Sequence, residues 1–168
     1  RRTILTEIPV VAIRTETVDV NQCNVITNTT RFHNEIVKQR LSTIPVITQD
    51  LEAFPQKYRL LVKAKNETDH ELHWVTTDDF VLQDKENEQY IDEREIRKIF
   101  PRDEKANRPI DFLRLRPAIG PTIPGEEINL TADFSVSSAK ENGMYNAVSK
   151  CAYFNVIDAE TRDNLWSA

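Results

Sequence analysis

The chain has 168 residues, long enough for one good core or two small lobes, and its 39% hydrophobic and 29% charged residues are an ordinary globular balance. A net charge of −5 argues against a dominant phosphate-neutralising face, and no apolar run approaches the roughly 20 residues that span a bilayer. The two cysteines, Cys23 and Cys151, lie far apart with no signal peptide after Arg1-Arg2, which reads as reduced thiols in an intracellular protein. The first residue is not Met, so the chain reads as an excerpt of a longer one.

Ile4, Leu5 and Ile8 share a helical stripe that Pro9 ends, so residues 1–8 read as the last turns of a helix. Residues 10–20 are β-branched and alternate, which predicts a strand, and residues 21–29 read as a polar connection. Residues 31–41 predict a short amphipathic helix. Ile36, Val37 and Leu41 face inward, Thr29 and Thr30 are candidate N-caps, and Pro45 forces an extended exit. Asp50 and Pro55 break the stretch that follows. Residues 58–65 and 70–77 predict an antiparallel hairpin across the turn at 66–69, with Leu72 and Trp74 on one face. A short apolar segment at 80–82 and a charged run at 83–89 lead to a predicted helix at 90–100, where Asp92 and Glu95 have capping-box spacing.

Residues 110–116 predict a strand, and Gly120, Pro121, Pro124 and Gly125 mark a long turn. Residues 126–136 alternate cleanly, placing Ile128, Leu130, Ala132, Phe134 and Val136 on one face. A polar connection at 137–146 precedes a further predicted strand at 147–157. The tail from 158 to 168 has helical potential, with Leu165 and Trp166 as anchors. This order predicts an α+β fold, mostly antiparallel sheet with few helices.

The residues offer little for catalysis. His70 and His73 are three apart on a predicted strand and point to opposite faces, so they cannot easily share one metal. The acidic residues from Asp78 to Asp92 read as a solvated face, and a hydrolase using them is the weaker reading. Only three glycines are present, and none forms a phosphate-cradling loop. Ser42, Ser135, Ser137 and Ser138 lack a nucleophile-elbow context, and Cys151 reads as packing. The Asn-x-Thr triplets at Asn28, Asn66 and Asn129 read as chance sequons.

Asn28-Thr29-Thr30, a short helix, then Arg40-Leu41 and Ile44-Pro45 resemble the alpha-like subunits of multisubunit DNA-directed RNA polymerases, where an Asn-Thr-Thr segment precedes a helix ending in His-Arg-Leu-Gly-Leu-Ile-Pro. Gln39 stands for that His and Ser42 for that Gly, a place where φ > 0 would strain serine. Arg1, Arg2, Glu7, Ile8 and Pro9 are similar to the family's Arg-Arg helix end. Leu113-Arg114-Leu115-Arg116, the run from Pro124 through Gly125 and Glu126 to Leu130, and Ala139-Lys140-Glu141-Asn142 follow the family's order, with Asn142 replacing a His. The resemblance covers nearly the whole chain except about residues 50–107. The third-largest subunit of eukaryotic RNA polymerase II, its archaeal counterpart and the bacterial alpha N-terminal domain are its reference points. The poorly matched middle and the substitutions mark a divergent member, of the kind a large DNA virus or a protist encodes.

The resemblance implies a non-catalytic assembly subunit. Residues 1–9 would be the end of a dimerisation-domain helix, 10–158 the insert domain, and 159–168 the return into the dimerisation domain. It implies a smaller alpha-like partner, docking to the second-largest and largest catalytic subunits, and DNA contact only through the complex. It also implies no metal or other cofactor, because the cysteine-rich loop of many members is missing here. The implied interface residues are Arg1, Arg2, Phe32, Glu35, Gln39, Arg40, Ala139, Lys140, Glu141 and Asn142. Membrane association is not expected. The expected compartment is the nucleus or, for a viral protein, a cytoplasmic factory or the virion. The alternative is a stand-alone β-rich module binding a peptide or glycan.

Overall fold

A computed structural model describes residues 1–16 and 19–166. Thr17 and Val18 of the predicted first strand, and residues 167–168 of the tail, lie outside the described residues. The fold is α+β, with mostly antiparallel sheet and short helices. No described helix is long and apolar enough to cross a membrane.

Helix α1 (Arg2–Thr6) runs into strand β1 (Pro9–Ala12). The predicted strand is cut short there, because Gln22 N–H donates to the Arg14 carbonyl (2.7 Å) and closes a loop. The predicted polar connection contains strand β2 (Cys23–Asn28). A β-bulge between Val25 and Thr27 pushes Ile26 out to solvent and interrupts the alternation that would have marked the strand. Helix α2 (Asn34–Ser42) buries Val37 and Leu41 and leaves Ile36 exposed. Its N-cap position is His33 rather than Thr29 or Thr30. Ser42 sits in ordinary helical backbone, its hydroxyl bonded to the Gln39 carbonyl (2.8 Å), so no strain arises there.

Helix α3 (Ala53–Lys57) contains Pro55, which the sequence marks as a breaker. Pro55 lies in the first turn, where an N–H would lack a partner in any case, and the Asp50 carboxylate accepts from Glu52 and Ala53 N–H. Strand β3 (Tyr58–Lys65) and strand β4 (His73–Thr76) do not form the predicted hairpin. Between them the chain changes sheet. The Asn66 side chain is buried and donates to the Glu71 and Leu115 carbonyls (2.8 and 3.0 Å), carrying the chain from one sheet to the next.

Strand β5 (Phe80–Asp84), helix α4 (Glu93–Ile99) and strand β6 (Asp111–Leu115) follow. Asp92 is the N-cap of α4 but makes no side-chain cap bond. The reciprocal capping box is instead at Thr76 and Asp79, on the turn of 3-10 helix Thr77–Asp79. The long alternating stretch divides into strand β7 (Glu127–Asp133) and strand β8 (Ser135–Ser138), with buried Phe134 at the break. Val136 falls on the second strand and is exposed, unlike Ile128, Leu130 and Ala132. The polar connection contains the end of β8 and a second 3-10 turn, Gly143–Tyr145. The strand expected at 147–157 does not form, because no described strand pairs with that stretch. Helix α5 (Ala159–Trp166) closes the described chain.

A four-stranded sheet has the order β2-β7-β3-β5, and β1-β8 and β4-β6 form antiparallel pairs. In the large sheet Leu60 faces Leu82 and Ala132, while Val62 faces Phe80 and Leu130, so one face of three strands is apolar. Val37 and Leu41 of α2, Ile96 of α4 and Phe112 and Leu115 of β6 join the same core. Phe80 meets Phe100 and Phe112 edge-on, with ring centroids 5.3 and 5.5 Å apart. Cys23 belongs to this core, and burial pushes its thiol up to about 11, which suits packing rather than nucleophilic chemistry.

Candidate partner-docking face

The entry to α2 is built by one side chain. Asn28 Oδ1 accepts from the Thr30 N–H (3.0 Å) and hydroxyl (2.7 Å), and its amide donates to the Phe32 carbonyl (2.8 Å) and Asn34 Oδ1 (2.7 Å). Asn66 repeats the device, accepting from the Thr68 N–H and hydroxyl. Two of the Asn-x-Thr triplets are therefore local side-chain turns. This sets α2 so that its buried stripe meets the sheet while Glu35 and Gln39 project outward into a cleft. The cleft has a volume of about 730 Å³, and its far wall is Asn142, Gly143 and Met144. Thr15 donates to the Lys38 carbonyl (3.3 Å) at its side.

The turn at residues 139–142 is tied down on several sides. Lys140 N–H donates to the Thr6 carbonyl at the end of α1 (3.0 Å). Glu141 accepts from Arg14 Nη1 (2.6 Å) and from the Ser137 hydroxyl. Asn142 Oδ1 accepts from the Met144 N–H (3.0 Å). Behind the turn Tyr145 is fully buried, its hydroxyl bonded to Ser135 Oγ (2.7 Å). The Ser137 hydroxyl, then Arg14, hold the Glu141 carboxyl below its ordinary range. Its folded value is depressed, so its contribution is complete above the ordinary carboxylate range and is lost as pH falls through it. Thermal melts of the native protein and Glu141→Gln are expected to differ at pH 7 and to converge as pH drops below about 4. A gap that stays constant down to about pH 3 would refute this anchoring role.

The expected interface residues fall in several places. Arg1 and Arg2 are exposed at the start of α1, whose last residue, Thr6, offers the carbonyl that receives Lys140. Glu35, Gln39 and Asn142 line the shared cleft, and Ala139 is half-buried beneath it. Glu141 serves the turn itself through Arg14 and Ser137. Phe32 and Arg40 point elsewhere, into a groove against β4 and β6. Tyr145 and Asn28, which position the face, carry signals only in the paired Asn-x-Thr pattern and in one aromatic after a polar stretch.

The remaining sequence candidates have separate roles. Asp78 pairs with Arg102, Asp79 caps Thr76, and Asp84 accepts from Glu86 and Asn87 N–H. No group of three or more metal-binding side chains occurs among the described residues.

The chain matches no family model and none of the curated proteins.

The tail supplies a second surface. Tyr153, Phe154, Val156 and Ile157 stand in solvent, Phe154 at 88% exposure, without secondary structure around them. Leu165 and Trp166 of α5 are likewise exposed, Trp166 at 86%, so the expected anchors do not pack on the body. A run of large apolar side chains this open is typical of a surface that further polypeptide, of the same chain or of a partner, covers.

Proposed function

We propose that the protein is a non-catalytic assembly subunit of a multisubunit DNA-directed RNA polymerase. It pairs with a smaller alpha-like subunit and docks the second-largest and largest catalytic subunits, and it meets DNA only through the complex. Its site of action follows that polymerase, in the nucleus or, for a viral enzyme, in a cytoplasmic factory or the virion. The observation that carries the reading is the exposed apolar tail, a run of large apolar side chains of the kind that an assembly interface covers. The ordered motifs resembling the alpha-like family support it. So does the approach of α1 to the turn at 139–142, segments more than 100 residues apart in the sequence. Planar guanidinium groups such as Arg1 and Arg2 suit charge-assisted bonds at the rim of such an interface.

The test is affinity purification of the tagged full-length protein from its native source. Two very large polymerase subunits and a small alpha-like protein are expected in roughly equal amounts. Substituting Arg1 and Arg2 with Ala is expected to weaken capture of the second-largest subunit by about tenfold, with the fold intact. Recovery of the protein alone, or with unrelated partners, would overturn the proposal. Unchanged capture by the double variant would remove the arginine pair from the interface.

A further inference from the structure

The groove that receives Phe32 and Arg40 has a composition the rest of the chain lacks. Its volume is about 350 Å³, and it runs between the entry of α2 and the β4-β6 ribbon. Arg31, Arg40, Arg114 and Arg116 line it, against a single acid, Glu126. Four guanidinium groups and one carboxylate leave a local charge of +3 in a chain whose net charge is −5. Glu126 is buried and fully engaged, accepting from the Arg116 N–H (2.8 Å) and pairing with its guanidinium (2.5 Å). Arg31, Arg40 and Arg114 form no ion pair among the described residues.

Arg40 and Arg114 are positioned by groups that leave their charge uncancelled. Arg40 Nε donates to the Phe112 carbonyl (2.7 Å), and its guanidinium lies 5.8 Å from the Phe32 ring centre. Arg114 sits opposite Trp74 in the ribbon register, with its guanidinium 5.7 Å from the indole. Trp74 is 51% exposed and Phe32 37%, and buried Leu113 contributes to the lining between them. Guanidinium groups beside open aromatic surface match carboxylates alternating with an apolar anchor.

We infer that this groove binds a short acidic peptide segment carrying an aromatic or aliphatic side chain. The carboxylates meet Arg31 and Arg114, and the anchor packs between Trp74 and Phe32. A nucleic-acid strand is the less suitable occupant. Its charge continues beyond one small groove, and the chain as a whole carries a net charge of −5, which opposes a longer polyanion. The assignment stands on the groove's own residues, apart from the polymerase role proposed above.

The test uses fluorescence anisotropy on the full chain at low salt. The probe is a labelled eight-residue peptide of Glu and Asp around one Phe and one Leu. Companion probes replace the two apolar residues with Ser, replace the acids with Gln and Asn, or are an eight-nucleotide thymidine oligomer. The acidic apolar peptide is expected to bind best. The double variant Arg31→Gln/Arg114→Gln should weaken it at least about tenfold. Trp74→Ala should reduce the preference for the apolar peptide over its Ser form. All three positions are exposed, and circular dichroism checks the fold. Lys63→Gln/Lys65→Gln removes the same charge from β3 and should leave binding unchanged. No binding up to about 1 mM, equal loss from the lysine variant, indifference to the arginine variant, or tighter binding of the oligomer would each overturn the inference.

Discussion

Gly125→Ala is expected to destabilise the protein by about 3 kcal/mol in urea unfolding, although it adds one methyl group. A Cβ at Gly125 would lie 1.9 Å from the Asn66 carbonyl oxygen and 3.0 Å from its carbon. Both obstacles are backbone, so no side-chain rotation relieves them. Neither strand can retreat either. Asn66 N–H donates to the Glu126 carbonyl (2.9 Å), the Asn66 side chain is committed to Glu71 and Leu115, and Glu126 is clamped by Arg116. The substitution therefore prises apart the point where β3, β7 and the β4-β6 ribbon meet. Gly143→Ala is the matched control. Nothing lies within 4 Å of its added Cβ, so its effect should stay within about 0.5 kcal/mol. Similar stability losses in the two variants would refute the close-approach account.

Tyr145→Ala is expected to cost about 3–5 kcal/mol and to loosen the candidate face together with the fold. The ring is completely buried beneath the turn at 139–142, and its removal leaves a cavity where β1, β8 and the turn converge. Tyr145→Phe retains the packing and loses only the bond to Ser135, which costs about 1 kcal/mol. If the turn acts in docking, reconstitution with the second-largest subunit should suffer in the Ala variant well beyond the Phe variant. Equal stability of the Ala and Phe variants would show that the ring does not organise this region.

The strands whose burial alternates were legible in the sequence. Ile128, Leu130 and Ala132 point inward at every second position because β7 is central in the sheet, with one face buried and one half-exposed. Strand pairing was not legible. A turn rich in polar residues after β3 suggests a hairpin, but the buried Asn66 amide sends the chain to another sheet, a choice made by a contact with Leu115 49 positions away. Strand β2 was concealed by its bulge at Ile26, and the break at Phe134 by continuous alternation across two sheets. The stretch at 147–157 has strand composition without a strand to pair with, and composition alone does not show that. For the candidate face, the exposed side of α2 follows from helical period. The bond joining Lys140 to Thr6 follows from no local pattern.

The pairing of β1 with β8 sets Pro9 opposite Ser138. Zipping these two strands brings together segments more than 100 residues apart in the sequence, a non-local pairing that loop-closure entropy opposes. The turn at 139–142 reaches α1 only with that pairing. A chain in which these strands have not yet paired lacks the assembled face beside α1. A partner that recognised this face would therefore admit only chains in which β1 and β8 have already paired.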